Sequence, residues 1–161
     1  MAYFNGEKME NYVLKGVDGR DVRFKNFSGT KTDFNAEGVR RFTILLTEEE
    51  AEELQQKGWR IKMLENKKEP GSPLVPSIRV RVSFGVVPPK IYMVTSRKKQ
   101  LLDESTVMLL DTAEITKLDI VLTPYVSKMS VDGYASAYVK TAYFNIVDDD
   151  PFEDDYAEID D

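Results

Sequence analysis

Residues 70–102 carry six basic side chains and no acidic one, a pattern typical of a surface that binds a polyanion. Because phosphate groups repeat along a nucleic-acid strand, a protein that binds one needs cationic groups spread along a path. An ordinary solvated surface without a partner is the alternative for each of these residues. The candidates for phosphate contact in this stretch are Arg79, Arg81, Lys90, Arg97, Lys98 and Lys99.

Four basic residues outside this stretch are further candidates, and two of them are adjacent. Arg40 and Arg41 begin a strand-like run, so alternation places their side chains on opposite faces. Arg40 shares its face with Phe42, which leaves Arg41 as the more exposed of the two. We expect at most one of them to contact a phosphate while the other pairs with an acid. The remaining candidates are Lys62 and Lys140.

Aromatic side chains supply flat surfaces on which nucleic-acid bases stack, at about 1–3 kcal/mol per base. Burial in the core is the alternative for each of them, and it is strongest for Trp59 and Phe84, whose strand neighbours are apolar. The candidates for base stacking are Trp59, Tyr92, Tyr125 and Tyr138. The wider set of aromatic residues in strand-like segments also includes Phe84, Tyr134 and Tyr143.

No residue pattern indicates catalysis. The chain has no cysteine and no histidine, which removes thiolate nucleophiles, zinc sites of the usual kinds and the commonest general base. Phosphate-binding glycine loops, a serine nucleophile elbow and a metalloprotease motif are absent from the sequence as well. We therefore expect a non-enzymatic protein without metal or cofactor, and carboxylate chemistry with Mg²⁺ is the last alternative.

Apolar and polar residues alternate over much of the chain, which predicts a mainly β domain that closes into a barrel. Asp18-Gly19 and Asp132-Gly133 are dipeptides that favour hairpin turns between two strands. The predicted strands cover residues 11–17, 20–27, 39–46, 59–64, 77–84, 90–95, 105–110, 118–127 and 134–147.

A single helix is predicted over residues 48–57. Thr47 and Glu50 form a capping box, and Gly58 provides a stop. The segment offers only two apolar side chains, so we expect it to cap one side of the sheet. With 161 residues the chain has room for one domain, over residues 1–147. No apolar stretch is long enough to span a membrane and no export signal is visible, which predicts a cytoplasmic protein.

The last fourteen residues hold nine acidic side chains and no basic one. Removing these nine from the 28 acidic residues leaves 19 against 22 basic ones, so the body carries about +3 while the whole chain carries −6. This composition predicts a disordered acidic tail, residues 148–161, that competes with nucleic acid for the basic surface. A terminus that only aids solubility is the alternative. The tail residues assigned to competition or partner docking are Asp148, Asp149, Asp150, Phe152, Asp154 and Asp155.

Five short motifs occur in order between residues 22 and 143. They are KNFSG at 25–29, FNxxGxRxF at 34–42, GWRIK at 58–62, PPKIY at 88–92 and DIVLTPY at 119–125. In this order they resemble a group of bacteriophage single-stranded DNA-binding proteins. The resemblance implies an OB-type Greek-key barrel with extra strands or hairpins. It also implies sequence-independent binding of single-stranded DNA in phage replication, recombination or repair, in the cytoplasm of the host cell.

The acidic tail resembles the ending through which bacterial and phage proteins of this kind dock onto replication partners. The run DDDPF at 148–152 matches that ending, and nine further residues follow it here. The alternative function is a protein-interaction or assembly module of a virion or replication complex. In that case the basic face would meet an acidic protein, and the tail would itself be the ligand.

Overall fold

A computed structural model defines residues 2–66, 68–85, 87–128 and 130–147. In these residues the strands are β1 Tyr3–Phe4, β2 Glu7–Lys8, β3 Tyr12–Asp18, β4 Val22–Asn26, β5 Arg40–Leu45, β6 Lys62–Leu64, β7 Val75–Val82, β8 Lys90–Val94, β9 Lys99–Leu102, β10 Ile115–Tyr125 and β11 Ser136–Ile146. The α-helices are α1 Glu48–Gln56 and α2 Leu109–Thr112, and a 3-10 turn covers Gly19–Asp21.

Six strands form a barrel in the order β3-β10-β11-β7-β5-β4. The strands at the two ends of this order, β3 and β4, are consecutive in the chain and are joined only by the 3-10 turn. They act as two halves of one broken strand, because β3 pairs with β10 and β4 pairs with β5. The result is a closed Greek-key barrel of the OB type, which confirms the expected fold class.

Gly19 occupies the break between the two half-strands. A Cβ atom at this position would lie 1.7 Å from the carbonyl oxygen of Ile115 on β10, so only glycine lets the two segments approach this closely. The predicted hairpin at Asp18-Gly19 is therefore wrong. β3 and β4 do not pair with each other, since each pairs with a different neighbour. A turn-forming dipeptide was sufficient to break a strand without reversing it.

The interior of the barrel is built around three phenylalanine rings. Phe27, Phe42 and Phe144 are fully buried, and their ring centroids lie 5.2 to 5.6 Å apart. Stacked and edge-to-face contacts at these distances are the preferred arrangements of aromatic pairs. The inward positions of the barrel strands supply much of the remaining core, so the alternate positions of these strands must face outward.

The helix predicted over residues 48–57 is confirmed as α1. Thr47 accepts a hydrogen bond from the backbone N–H of Glu50, and the Glu50 side chain accepts one from the N–H of Thr47, which completes the capping box. The chain leaves the helix through Gly58, whose φ of +99° favours glycine. No helix in the described part of the chain is long and apolar enough to cross a membrane.

The predicted strand over residues 105–110 is wrong, because this segment contains a turn and the start of α2. Asp103 accepts hydrogen bonds from the backbone N–H of Ser105 and from the Thr106 hydroxyl, which bends the chain. Val107 and Leu110 are buried three residues apart, a helical spacing. The second predicted hairpin is confirmed, since β10 and β11 pair antiparallel and residues 126–135 connect them.

Candidate nucleic-acid interface

The outer surface of β5 and β7 carries three arginines, Arg41, Arg79 and Arg81, which we call the arginine row. Arg41 lies directly opposite Arg81, and Thr43 lies opposite Arg79. Directly opposed residues share a face of the sheet, so these side chains all point away from the barrel interior. Their strand neighbours fill the core and fix this orientation. Those neighbours are Phe42, Ile44, Ile78 and Val80.

The charges of the arginine row are close enough to disfavour one another. Partial burial lowers the pKa of Arg79 first, and the positive charges of Arg41 and Arg81 lower it further. Within the described residues none of the three forms an ion pair with a carboxylate at 4.0 Å or less. An anion bound across the row would relieve this repulsion, which is the electrostatic property a phosphate site requires.

Two tyrosines continue the face beyond the arginine row, and with Arg81 they form what we call the barrel cluster. Tyr138 on β11 lies opposite Arg81, whose guanidinium carbon is 5.8 Å from the ring centroid. Tyr125 at the end of β10 meets Tyr138 edge to face, with centroids 5.5 Å apart. Tyr125 is 54% exposed, so a flat surface is open to solvent next to a cation.

The loop of residues 27–39 borders the arginine row on one side. Its shape is set by Asn35, whose buried amide donates to the carbonyls of Thr30, Ala36 and Val39. The loop is anchored to the row because Arg41 donates a hydrogen bond to the carbonyl oxygen of Phe34. The Phe34 ring itself is 84% exposed. An aromatic ring is thus held in solvent beside the arginines.

The connection of residues 126–135 borders the barrel cluster on the other side. Arg60 reaches it and donates to both carboxylate oxygens of Asp132, at 2.7 and 2.9 Å, and to the carbonyl of Tyr134. The Arg60 guanidinium accordingly lowers the pKa of Asp132 below its usual range.

Oligonucleotides bind OB-type barrels across the second and third strands, between two loops. When β3 and β4 are counted together as the first strand of the barrel, β5 and β7 are the second and third. Residues 27–39 and 126–135 are then the two loops that border this face.

Arg40 lies apart from the arginine row. It shares the register of the inward-facing Val82, and its guanidinium sits 3.6 Å from Glu104 and 5.7 Å from the centroid of the Phe84 ring. The expectation that one member of the Arg40–Arg41 pair binds an acid is borne out by this contact. Arg40 lies at the end of the face, where an open cleft of about 420 Å³ extends from Arg40 to Tyr138.

The β8–β9 hairpin adds a second group of aromatic and basic side chains outside the barrel. Tyr92 on β8 lies opposite Tyr143 on β11, and their rings stack with centroids 4.8 Å apart and planes 9° from parallel. The Lys99 ammonium lies 4.9 Å from the Tyr92 centroid and 5.8 Å from that of Tyr143. We call Tyr92, Lys99 and Tyr143 the hairpin cluster. Lys90, at the start of β8, and Lys140 on β11 are exposed nearby.

Comparison with known proteins agrees with this geometry. Residues 4–161 match the family of phage ssDNA-binding domains, which covers nearly the entire chain. The chain belongs to this family. The solved structure of the single-stranded DNA-binding protein from bacteriophage Enc34 in complex with ssDNA is similar, with a TM-score of 0.52 and 12% identity over 88% of this chain and 89% of that one.

A second structure of the Enc34 protein gives a TM-score of 0.50 at 11% identity, over 91% of this chain and 89% of that one. At such low identity these likenesses establish the shared fold. A comparison with curated protein sequences found no significant match. In the described part of the chain, the structure also contains no group of three or more carboxylates arranged to hold a metal ion.

The structure brings most of the candidate residues of this phage ssDNA-binding domain onto one outer face, in two clusters, and leaves several elsewhere. Trp59 is only 1% exposed, and its ring packs in the core with its centroid 6.3 Å from that of the Tyr12 ring. The prediction that Trp59 stacks on a base is therefore corrected, because its ring is enclosed in the hydrophobic core and has no face open to a base. The tail candidates at 148–155 lie outside the described residues.

Three further basic candidates lie at the margins of the face. Lys62 is exposed and lies opposite Ser77, which precedes Arg81 by four residues on β7. Residues four apart share a face of a strand, so Lys62 extends the face of the arginine row at the end away from Arg81. Arg97 and Lys98 occupy the turn of the β8–β9 hairpin, where their backbone N–H groups donate to the Thr95 hydroxyl. This turn holds Arg97 and Lys98 at the tip of the hairpin, beyond the hairpin cluster.

Sequence reasoning missed two residues of the face and passed over a third. Arg23 lies opposite Thr43 and so extends the arginine row onto β4, which alternation with the buried Val22 could have shown. Phe34 gave no signal, because nothing in its own type distinguishes an exposed loop ring from a core one. Tyr143 was included only in the wider aromatic set, although it forms half of the closest ring stack on the face.

Proposed function

We propose that this protein binds single-stranded DNA without sequence preference on the outer face of β5, β7, β11 and β10. The observation that carries the proposal is the continuity of this face. The arginine row passes directly into the barrel cluster, with a loop at each border. Arginines at these positions contact phosphates and tyrosines stack on bases, and neither interaction reads the edge of a base.

The exposed rings favour a single strand as the ligand. Stacking on Tyr125 and Tyr138 needs a base whose face is free, and in a duplex both faces are covered by neighbouring bases. The arginine row alone would also attract a duplex, because its attraction to phosphate does not depend on strand number. We therefore expect duplex DNA to bind through charge only, and more weakly than a single strand of equal length.

Within the phage life cycle, we propose that the protein coats single-stranded DNA during replication, recombination or repair in the host cell, without catalysing a reaction. Sequence-independent binding suits this role, since the exposed strand has no fixed sequence. The acidic segment at 148–161 would serve as the competitor of DNA and as the docking site for replication or recombination proteins. Support comes from its position, because β11 ends at Ile146, three residues beyond Tyr143 of the hairpin cluster.

Binding of fluorescently labelled oligo-dT, followed by anisotropy at several salt concentrations, tests the central proposal. The combined variant Arg79→Gln with Arg81→Gln should bind far more weakly than the parent protein. Lys57→Gln is the matched control, because Lys57 is also exposed but pairs with Glu53 at 3.1 Å on α1. If the parent protein shows no binding at low salt, or an affinity indifferent to salt, the proposal is wrong.

Removal of residues 148–161 tests the role of the acidic segment. Deletion should tighten binding to oligo-dT, and the gain should shrink as salt screens the competing charges. A second variant that combines Asp148→Asn, Asp149→Asn, Asp150→Asn, Asp154→Asn and Asp155→Asn keeps the length and removes five charges, so it should reproduce part of the gain. Unchanged affinity in both variants would remove the segment from the binding mechanism while leaving the barrel face in place.

A further inference from the structure

A β-bulge brings Tyr143 to the same face of β11 as Tyr138. The two residues are five positions apart, so strict alternation would place them on opposite faces. The β10–β11 register shifts between Val121 and Leu122, and Lys140 is the additional residue on β11. Beyond the shift, Ala142 and Phe144 are the buried positions and Tyr143 points outward. An insertion of this kind re-aims the side chains that follow it.

The distance between the two clusters follows from the same register. Tyr138 lies opposite Thr123, and Tyr143 lies opposite Asp119, four residues earlier on β10. At a rise of ~3.3 Å per residue, the two tyrosines are therefore about 13 Å apart along the strand. A nucleic-acid strand that rises ~3.4 Å per nucleotide covers this distance with about four nucleotides, and a more extended strand needs fewer.

The hairpin cluster offers the chemistry of a stacking site. Its two rings stand parallel and partly exposed, and the Lys99 ammonium beside them is placed to meet a phosphate of a stacked nucleotide. Leu101, opposite Tyr92 and 58% exposed, widens the apolar surface. Lys90 and Lys140 lie between this cluster and the barrel cluster in the register, where they line the path of a connecting strand.

The β8–β9 hairpin is an addition to the barrel. In the described part of the chain β8 pairs only with β11 and β9, so the hairpin extends the sheet sideways from the second half of β11. The barrel face ends where β7 stops pairing with β11 at Tyr138, and β8 takes over at Thr141. The same strand, β11, therefore belongs to both clusters and holds them at a fixed separation.

We propose that the hairpin cluster is a second stacking site for the same DNA strand, occupied only when the strand is long enough to reach it from the barrel cluster. The inference rests on the proposed function, since it assumes that DNA lies on the barrel face. It adds a length dependence: short strands bind at the barrel cluster alone, and longer strands gain the second site.

Affinities for oligo-dT of about two to about twenty nucleotides, which span the OB-type site sizes of about 4–16 and extend past both ends, test this inference. Tyr143→Leu and Tyr92→Leu should weaken binding of the longer oligonucleotides by roughly tenfold, the effect of one lost stacked base, and leave the shortest unchanged. Lys99→Gln, an exposed change that does not disturb the core, should act in the same direction. Lys57→Gln, beside the Tyr12 ring at 5.2 Å, is the matched lysine–tyrosine control.

The outcomes separate this inference from the proposed function. A loss with Arg81→Gln at every length, combined with a loss at the hairpin cluster only for longer strands, supports both. If the hairpin variants, with unfolding temperatures like the parent, bind all lengths normally or lose equally at all lengths, the second site is refuted and the barrel face stands. If Arg81→Gln has no effect at any length, the proposed function fails.

Discussion

Replacing the arginine row should change the salt dependence of DNA binding by a calculable amount. For single-stranded DNA, each phosphate contact contributes about 0.7 to the slope of log affinity against log salt. Arg79→Gln or Arg81→Gln should therefore reduce the slope by about 0.7 each, since neither side chain is engaged by a described carboxylate and each is free to neutralise a phosphate.

The size of the effect is measurable. Between about 50 and about 200 mM salt, a slope change of about 0.7 alters the affinity ratio of parent and variant by ~2.6-fold, and two such changes alter it by ~7-fold. Tyr138→Leu should behave differently. It removes a stacking ring and the partner of Arg81 but no charge, so affinity should fall by roughly 5- to 150-fold with the slope unchanged.

Titrations of labelled oligo-dT at four or more salt concentrations, with thermal unfolding of each variant as the folding check, give both quantities. Lys57→Gln is the control for a lost charge away from the face, and it should leave the slope at the parent value. A slope that falls no further in the arginine variants than in Lys57→Gln would refute the assignment of phosphate contacts. A slope change in Tyr138→Leu equal to that of Arg81→Gln would refute the division of roles.

Three further predictions concern the barrel closure and its border loop. Gly19→Ala should destabilise the protein by about 1–3 kcal/mol or more in chemical denaturation, because its Cβ overlaps a backbone carbonyl, whereas Gly85→Ala, with its nearest atom at 3.7 Å, should be close to neutral. Hydrogen bonds from Arg20 lower the pKa of Asp18 to about 2. The difference in unfolding temperature between the parent protein and Asp18→Asn should therefore be constant near neutral pH and should vanish as the pH falls from about 4 toward 2. A difference that persists at the lowest pH would contradict that pKa. Phe34→Ala should weaken oligo-dT binding without changing stability, since the ring is exposed, and equal affinity would exclude the Phe34 ring from the interface.

The features that could be predicted from the sequence are those set by neighbours in the chain. α1 begins at its capping box because the residues that satisfy its first N–H groups are only three positions apart. The outward direction of Arg79 and Arg81 followed from Ile78, Val80 and Val82, since one buried face fixes the other. In both cases the deciding interaction lies within one element, so its pattern is visible without knowing the partner strands.

The two errors had different causes, a distant pairing partner in one case and a local signal that the alternation outweighed in the other. The Asp18-Gly19 segment has the composition of a hairpin turn. The two strands that flank it nevertheless pair with other strands, β3 with β10 and β4 with β5, and not with each other. A period of two predicts a strand over residues 105–110, while the buried pair Val107 and Leu110 has the spacing of a helix. Asp103 gave a local signal for that turn, since aspartate followed by serine and threonine favours side-chain capping of the backbone.

Tyr143 shows how far one backbone irregularity can alter a binding surface. Counting by twos from Tyr138 places it in the core, and only the extra residue at Lys140 turns it outward to meet Tyr92. The same inserted residue leaves Ala142 and Phe144 buried, so the core and the outer face depend on it together. A regular strand that paired Lys140 as well would direct Tyr143 inward and Phe144 outward, at the cost of the phenylalanine cluster, whereas deletion of Lys140 would close the bulge and leave both orientations unchanged. The burial of Phe144 therefore favours the bulged pairing over a regular one, and the same core packing that holds the bulge also fixes the outward placement of Tyr143 in the hairpin cluster.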